Sequence, residues 1–233
     1  MLYRLSRFSR IHKALRRIAY AVLMPLPMPV KYGALGAVLS RRLPYRLVQS
    51  GSTVVQVGAP WDVLRSGRSR AIHLARMVGP SGRVIVLEPE PRSARALRAF
   101  CSQNGFGNVT IVEKGAWSSR NRLRFLEDPS HPAANLVESV TDPRRNDLGS
   151  FNVIEIDVDT LDNILEEVGV SETLLVSITT NGSENEILTG MARTAGRVRY
   201  LATIGEEQNY PLLGAYGFSR LGGDDRGYTY WRS

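Results

Sequence analysis

One cysteine, Cys101, is present among 233 residues, which excludes an intramolecular disulfide and any structural zinc site built on cysteines. Histidine is nearly as scarce: His12, His73 and His131 stand far apart and offer no metal-ligand spacing. Aromatic residues make up 8% of the chain, and no short repeat of the kind that builds solenoids occurs. No uninterrupted apolar run reaches the roughly 20 residues that a membrane-spanning helix needs. Acidic residues are missing altogether until Asp62. What is present is a 43% hydrophobic, 22% charged chain, suited to one folded domain with an appendage.

The missing acids locate the net charge of +8. Residues 1–61 hold ten basic residues and no acidic one, leaving twenty basic against twenty-two acidic in the rest. The pattern predicts a basic arm, residues 1–50, and a nearly neutral domain, residues 51–233. This argues against a nucleic-acid surface spread over the whole fold.

Arg10 to Met24 has the periodicity of an amphipathic helix, with Ile11, Leu15, Ile18 and Val22 on one face and Lys13, Arg16 and Arg17 elsewhere. Prolines 25, 27 and 29 then interrupt the helical pattern. Three readings of the arm stay open. It lies on an anionic membrane surface, it packs on the domain, or it is an organelle-targeting peptide. The first makes the protein cytoplasmic and peripheral on a membrane.

From residue 51 the pattern is β–α–β–α–β with short links. Predicted strands are Thr53–Val57, Arg83–Glu88 and Asn108–Lys114; predicted helices are Arg68–Val78 and Ser93–Asn104. Further strands are expected at Leu174–Thr179 and Val198–Ile204, and helices at Leu161–Val168 and Glu184–Met191. Short extra strands fit Arg122–Phe125, Leu136–Val140 and Val153–Asp157. A terminal hairpin turns around Gly222-Gly223-Asp224-Asp225. The expectation is a Rossmann-like, doubly wound, mostly parallel sheet. Gly58 after the first strand and Glu88 at the end of the second together favour a nucleoside-type ligand, because a carboxylate there can accept from both ribose hydroxyls. A nicotinamide dehydrogenase is disfavoured, since no Gly-x-Gly-x-x-Gly follows the first strand.

Gly58-Ala59, Val78-Gly79-Pro80-Ser81-Gly82-Arg83-Val84 and Leu87-Glu88-Pro89-Glu90-Pro91 resemble the first half of the FkbM-type S-adenosylmethionine-dependent methyltransferases. Thr160-Leu161-Asp162 and Ser177-Ile178-Thr179-Thr180-Asn181-Gly182-Ser183-Glu184, followed by Leu188-Thr189-Gly190, resemble the second half. The resemblance spans residues 51–233. It implies the class I methyltransferase fold, S-adenosylmethionine as cofactor, and methylation of a hydroxyl on a lipid-linked, glycan or small-molecule acceptor. Carried over, Gly58, Ala59 and Pro60 would line the methionine moiety, and Glu88 with Pro89 the ribose. Ala116 and Trp117 would flank the adenine, Trp117 being a stacking surface or a core aromatic. Gln56 stands where the family has a first-strand acid. Arg68 or Arg70 would reach the cofactor carboxylate, or would be solvated. Glu184 is the retained acid and the catalytic candidate. Ser177, Thr179 and Asn181 replace the family's Lys, Asp and Glu, so a catalytically inactive binding module is the alternative.

Overall fold

Why Thr53-Val54-Val55-Gln56-Val57 makes a central strand is plain from its β-branched run, which packs well on a pleated surface covered on both faces. The structure is a computed structural model that describes residues 26–129, 131–140, 151–204 and 210–232. The helix expected over Arg10–Met24 lies outside the described residues. The first described helix is α1 (Met28–Leu39), followed by a short 3-10 turn at Tyr45–Leu47. Then come β1 (Thr53–Val57), α2 (Trp61–Arg65), α3 (Arg70–Val78), β2 (Arg83–Leu87), α4 (Pro91–Gln103) and β3 (Val109–Val112). Next are β4 (Gly115–Ala116), β5 (Asn121–Glu127), β6 (Leu136–Val137), β7 (Asn152–Asp159), α5 (Leu161–Glu167) and β8 (Thr173–Ile178). The chain continues through α6 (Glu184–Thr189), α7 (Ala192–Ala195), β9 (Val198–Ile204), α8 (Pro211–Ala215), β10 (Phe218–Gly223) and β11 (Gly227–Arg232).

Seven strands form the main sheet in the order β10-β11-β9-β8-β1-β2-β3. Neighbours from β9 through β3 pair in parallel, and β11 runs antiparallel to both β9 and β10. Val55, Val57, Ile85 and Leu87 pack on one face against Leu161, Ile164 and Ile187. Val54, Val84 and Val86 pack on the other against Ile72, Leu74 and Leu97. Each such side chain, fully buried, contributes about 1.5–3 kcal/mol.

Four expectations change in detail. The helix expected over Arg68–Val78 forms but starts two residues later, at Arg70, after Gly67 at a φ of 73°, and a separate short helix, α2, forms within the predicted loop. The helix expected over Glu184–Met191 ends at Thr189, before Gly190, and a separate short helix, α7, follows from Ala192. Leu136–Val140 is two residues of strand and then a 3-10 turn, Glu138–Val140. The proline stretch starts a helix instead of only ending one. Pro29 sits in the first turn of α1, where its missing N–H has no intrahelical acceptor to lose. Residues of the supposed arm thereby pack on the domain, burying Tyr32 and Tyr45 against α3 and α4.

The short extra strands join into a second sheet, in the order β4-β7-β5-β6. Trp117, Phe125, Val137, Ile156 and Val158 form its own apolar cluster. Gly190 fixes this sheet against α6, since a Cβ there would lie 1.9 Å from the Trp117 carbonyl oxygen. Gly190→Ala must therefore push the two elements apart. We expect a loss of about 2–3 kcal/mol and a melting point lower by about 5–10 °C, measured by thermal denaturation. An unchanged melting point would mean the two elements are not held this closely.

Candidate active site

A cleft opens at the carboxyl ends of β1, β2, β4 and β8, where the strand order reverses between β1 and β8. It holds about 650 Å³ of atom-free space, open solvent at its mouth included. The main sheet contributes Gly58, Glu88 and Thr179, and the second sheet contributes Phe125, Ile156 and Val158. The turn at Pro132–Ala134 and the residues after it form a further wall.

Gly58 has a φ of 83°, and a Cβ on it would lie 2.7 Å from the Thr179 carbonyl oxygen. So the glycine is demanded first by the close pass of the chain between β1 and β8, before any ligand is considered. Ala59 is buried, and its N–H donates to Glu88 Oε2 at 2.6 Å. Glu90 N–H donates to Glu88 Oε1 at 3.0 Å. Glu90 in turn caps α4, accepting from the N–H groups of Arg92 and Ser93. Burial pushes the Glu88 carboxyl up to about 7, against those two backbone hydrogen bonds, with Glu90 adding a smaller push in the same direction. A carboxylate desolvated at the mouth of a strand, with lone pairs still unused, is a receptor for donated hydrogens.

Of the predicted site residues, Gly58, Pro60, Glu88, Pro89, Ala116 and Trp117 are brought together on the cleft wall. Trp117 lines the cleft and also packs in the second sheet's apolar cluster. Gln56 and Ala59 lie behind that wall. Gln56 is 1% exposed, and its amide nitrogen lies 2.7 Å from Thr179 Oγ1, 2.9 Å from Val57 O and 2.8 Å from Gly58 O. Its Oε1 has no hydrogen-bond partner among the described residues.

Arg68 and Glu184 are not on the wall. The Arg68 carbonyl accepts from Arg226 at 3.5 Å. Glu184 is buried, and Thr180 Oγ1 donates to its Oε1 at 2.9 Å. Burial raises the Glu184 pKa, opposed by backbone hydrogen bonds at Glu184 and Gly182 and by the Thr180 hydroxyl.

Arg70 is neither solvated nor in the cleft. Its guanidinium is buried, donates to Ser177 Oγ at 3.0 Å and pairs with Asp225 and, at 3.5 Å, with Asp224. A guanidinium from α3 thus stands directly beside Ser177. Asn181, replacing an acid of the family motif, donates to the carbonyls of Ala133 and Asn135 at 2.9 and 2.7 Å, so it holds the wall turn. On the other side His131 Nδ1 lies 3.0 Å from Asp62 Oδ2. Phe125, Asn135, Leu136, Ile156 and Val158 are cleft residues that sequence reasoning missed. Their only signal was the alternating pattern of the extra strands. His73 is a core histidine, pushed down to about 4 by burial. Among the described residues no cluster of three or more His, Cys, Asp or Glu could hold a metal ion.

No protein-family profile matches the chain, and no curated protein matches it. Solved structures do. The methyltransferase FkbM from Methylobacillus flagellatus KT aligns at a TM-score of 0.50 with 16% identity, over 83% of this chain and 47% of that one. The chain has the fold of class I methyltransferases. It spans about half the length of that FkbM protein. The precorrin-6y C5,15-methyltransferase from Geobacter metallireducens GS-15 aligns at a TM-score of 0.45 with 15% identity, covering 86% of this chain and 88% of that one. Fibrillarin from Aeropyrum pernix, which carries natively bound S-adenosyl-L-methionine, aligns at 0.45 with 13% identity, covering 86% and 74%.

Proposed function

We propose that the chain is an S-adenosylmethionine-dependent methyltransferase acting on a hydroxyl of a lipid-linked, glycan or small-molecule acceptor. The observation that carries this reading is Glu88, a buried carboxylate at the end of β2 facing the cleft of this fold. Glu88 accepts the ribose hydroxyls. Gly58 and Pro60 border the methionine moiety, and Ala116 with Trp117 border the adenine.

The cofactor supplies an activated methyl on a sulfonium, so the protein's tasks are alignment and a path for the acceptor's proton. Thr180 lines the cleft and donates to Glu184. Its hydroxyl gives a proton a route from the acceptor oxygen to a carboxylate whose pKa burial has raised.

The test incubates the full chain with methyl-labelled S-adenosylmethionine and fractionated cell extract. Label should appear in an alkali-stable ether, and Thr180→Val should slow its appearance about 100-fold. Cofactor binding without transfer to any fraction would instead favour the inactive binding module.

The pH dependence follows from Glu88. Ribose hydroxyls donate to the ionised carboxylate, so binding lowers a pKa that stands at about 7 and releases a proton. Affinity should therefore fall as pH drops through 7, by about tenfold per unit well below it. Calorimetry in buffers of different ionisation enthalpy reads both effects. Flat affinity from pH 6 to 8 would remove Glu88 from the ribose site.

A further inference from the structure

α1 is an odd surface helix. Its sequence, Met28-Pro-Val-Lys-Tyr-Gly-Ala-Leu-Gly-Ala-Val-Leu39, contains one charged residue, and that residue points inward. Lys31 Nζ donates to the Arg65 carbonyl at 3.3 Å, and Tyr32 Oη donates to the Leu64 carbonyl at 3.0 Å. The polar groups of the helix therefore face the protein. The face turned to solvent carries Val30, Ala34, Ala37 and Val38, which share one stripe at helical spacing. Val30 is 49% and Val38 54% exposed. An amphipathic surface helix shows the reverse arrangement. Arg41, Arg42 and Arg46, all exposed, follow directly.

We propose that this apolar stripe and the three arginines form an interfacial docking surface for an anionic lipid bilayer. The apolar face gains by entering the headgroup boundary, and each arginine near the surface adds about 1 kcal/mol. Charge complementarity selects this occupant over two others. A second copy placed by twofold symmetry would bring the same patch against itself, setting its arginines against their own mates. Residues 1–25 contain basic residues and no acid, so they bring nothing to neutralise Arg41, Arg42 and Arg46. The surface does not depend on the reading of the cleft. α1 rests on α2, and α2 rests on the turn that walls the cleft, so a docked bilayer lies two contacts from the cleft wall.

The test is co-sedimentation of the full chain with vesicles of phosphatidylcholine alone or of equimolar phosphatidylcholine and phosphatidylglycerol. Binding should require phosphatidylglycerol and weaken with salt. Val30→Glu/Val38→Glu should bind about tenfold or more weakly, and so should Arg41→Glu/Arg42→Glu, with melting points shifted by no more than about 2 °C because all four side chains are exposed. Binding that survives both double variants would place the membrane surface elsewhere in the chain and overturn the proposal. So would no binding at all, or a wild-type dimer that Val30→Glu/Val38→Glu converts to monomer.

Discussion

Glu88→Gln should lower affinity for S-adenosylhomocysteine by about 100-fold or more at pH 8. Two hydrogen bonds to an ionised acceptor, each contributing about 1.5–3 kcal/mol, account for that loss at 1.4 kcal/mol per tenfold. Substitution also touches the fold. Glu88 accepts from Ala59 N–H and Glu90 N–H, and an amide nitrogen would face one of these donors with another donor. A stability loss of about 1–3 kcal/mol should accompany the binding loss. The two effects separate by measurement. Circular dichroism reports whether the variant is folded, and calorimetry reports whether it binds. A folded variant with wild-type affinity would place the nucleoside elsewhere. The pH profile adds a second handle, since residual binding by the variant should no longer change between pH 6 and 8.

Arg70→Met should be the most destabilising single change outside the apolar core. Asp224 has a side chain only 1% exposed and also accepts from Arg226 N–H, Gly227 N–H and Thr229 Oγ1. Removing the guanidinium leaves that carboxylate buried without its cation, which costs about 3–5 kcal/mol. The melting point should drop by about 6–20 °C. The loss should concentrate in the β10–β11 hairpin, because Arg70 joins its tip to α3 and to Ser177 on β8. Hydrogen exchange should show the hairpin amides opening before those of β1 and β2. Uniform loss of protection would mean that the pair stabilises the whole sheet and not this connection. Arg70→Lys keeps the charge without the fork, so it should recover only part of the loss.

The parallel sheet was legible in the sequence because its strands are continuous apolar runs of the right length. Thr53–Val57 and Val198–Ile204 match to the residue. The cleft was legible in part too, since Gly58 and Glu88 mark strand ends and a strand end fixes where a side chain emerges. The second sheet was not. β4 and β6 are two residues each, and β5 finds its main partner β7 about thirty residues later. Periodicity reports one segment at a time and carries no partner. Arg70 was misread for the same reason: an arginine at a helix start is ordinarily solvated, and only the return of the chain 155 residues later brings Asp225 to it. The replacements at 177, 179 and 181 looked like losses of function when read as a motif. In space each acquires a structural bond, to Arg70, to Gln56 and to the Ala133–Asn135 turn respectively. The start of α1 was hidden because proline both ends and starts helices, and Pro29 in its first turn does not say which.

Gln56 and Thr179 illustrate what the replacements leave for chemistry. Where the family that the sequence resembles carries two acids, this chain has an amide and a hydroxyl bonded to each other. Glu88 is then the carboxylate on the cleft wall among the described residues, with Glu184 set back behind Thr180.

The direct measurement is a calorimetric titration of the full chain with S-adenosylhomocysteine at pH 8, repeated with Glu88→Gln. The account predicts a single saturable site, proton release that grows as the pH approaches 7, and loss of the signal in the variant. No binding by the folded wild-type chain, or binding indifferent to Glu88, would contradict it.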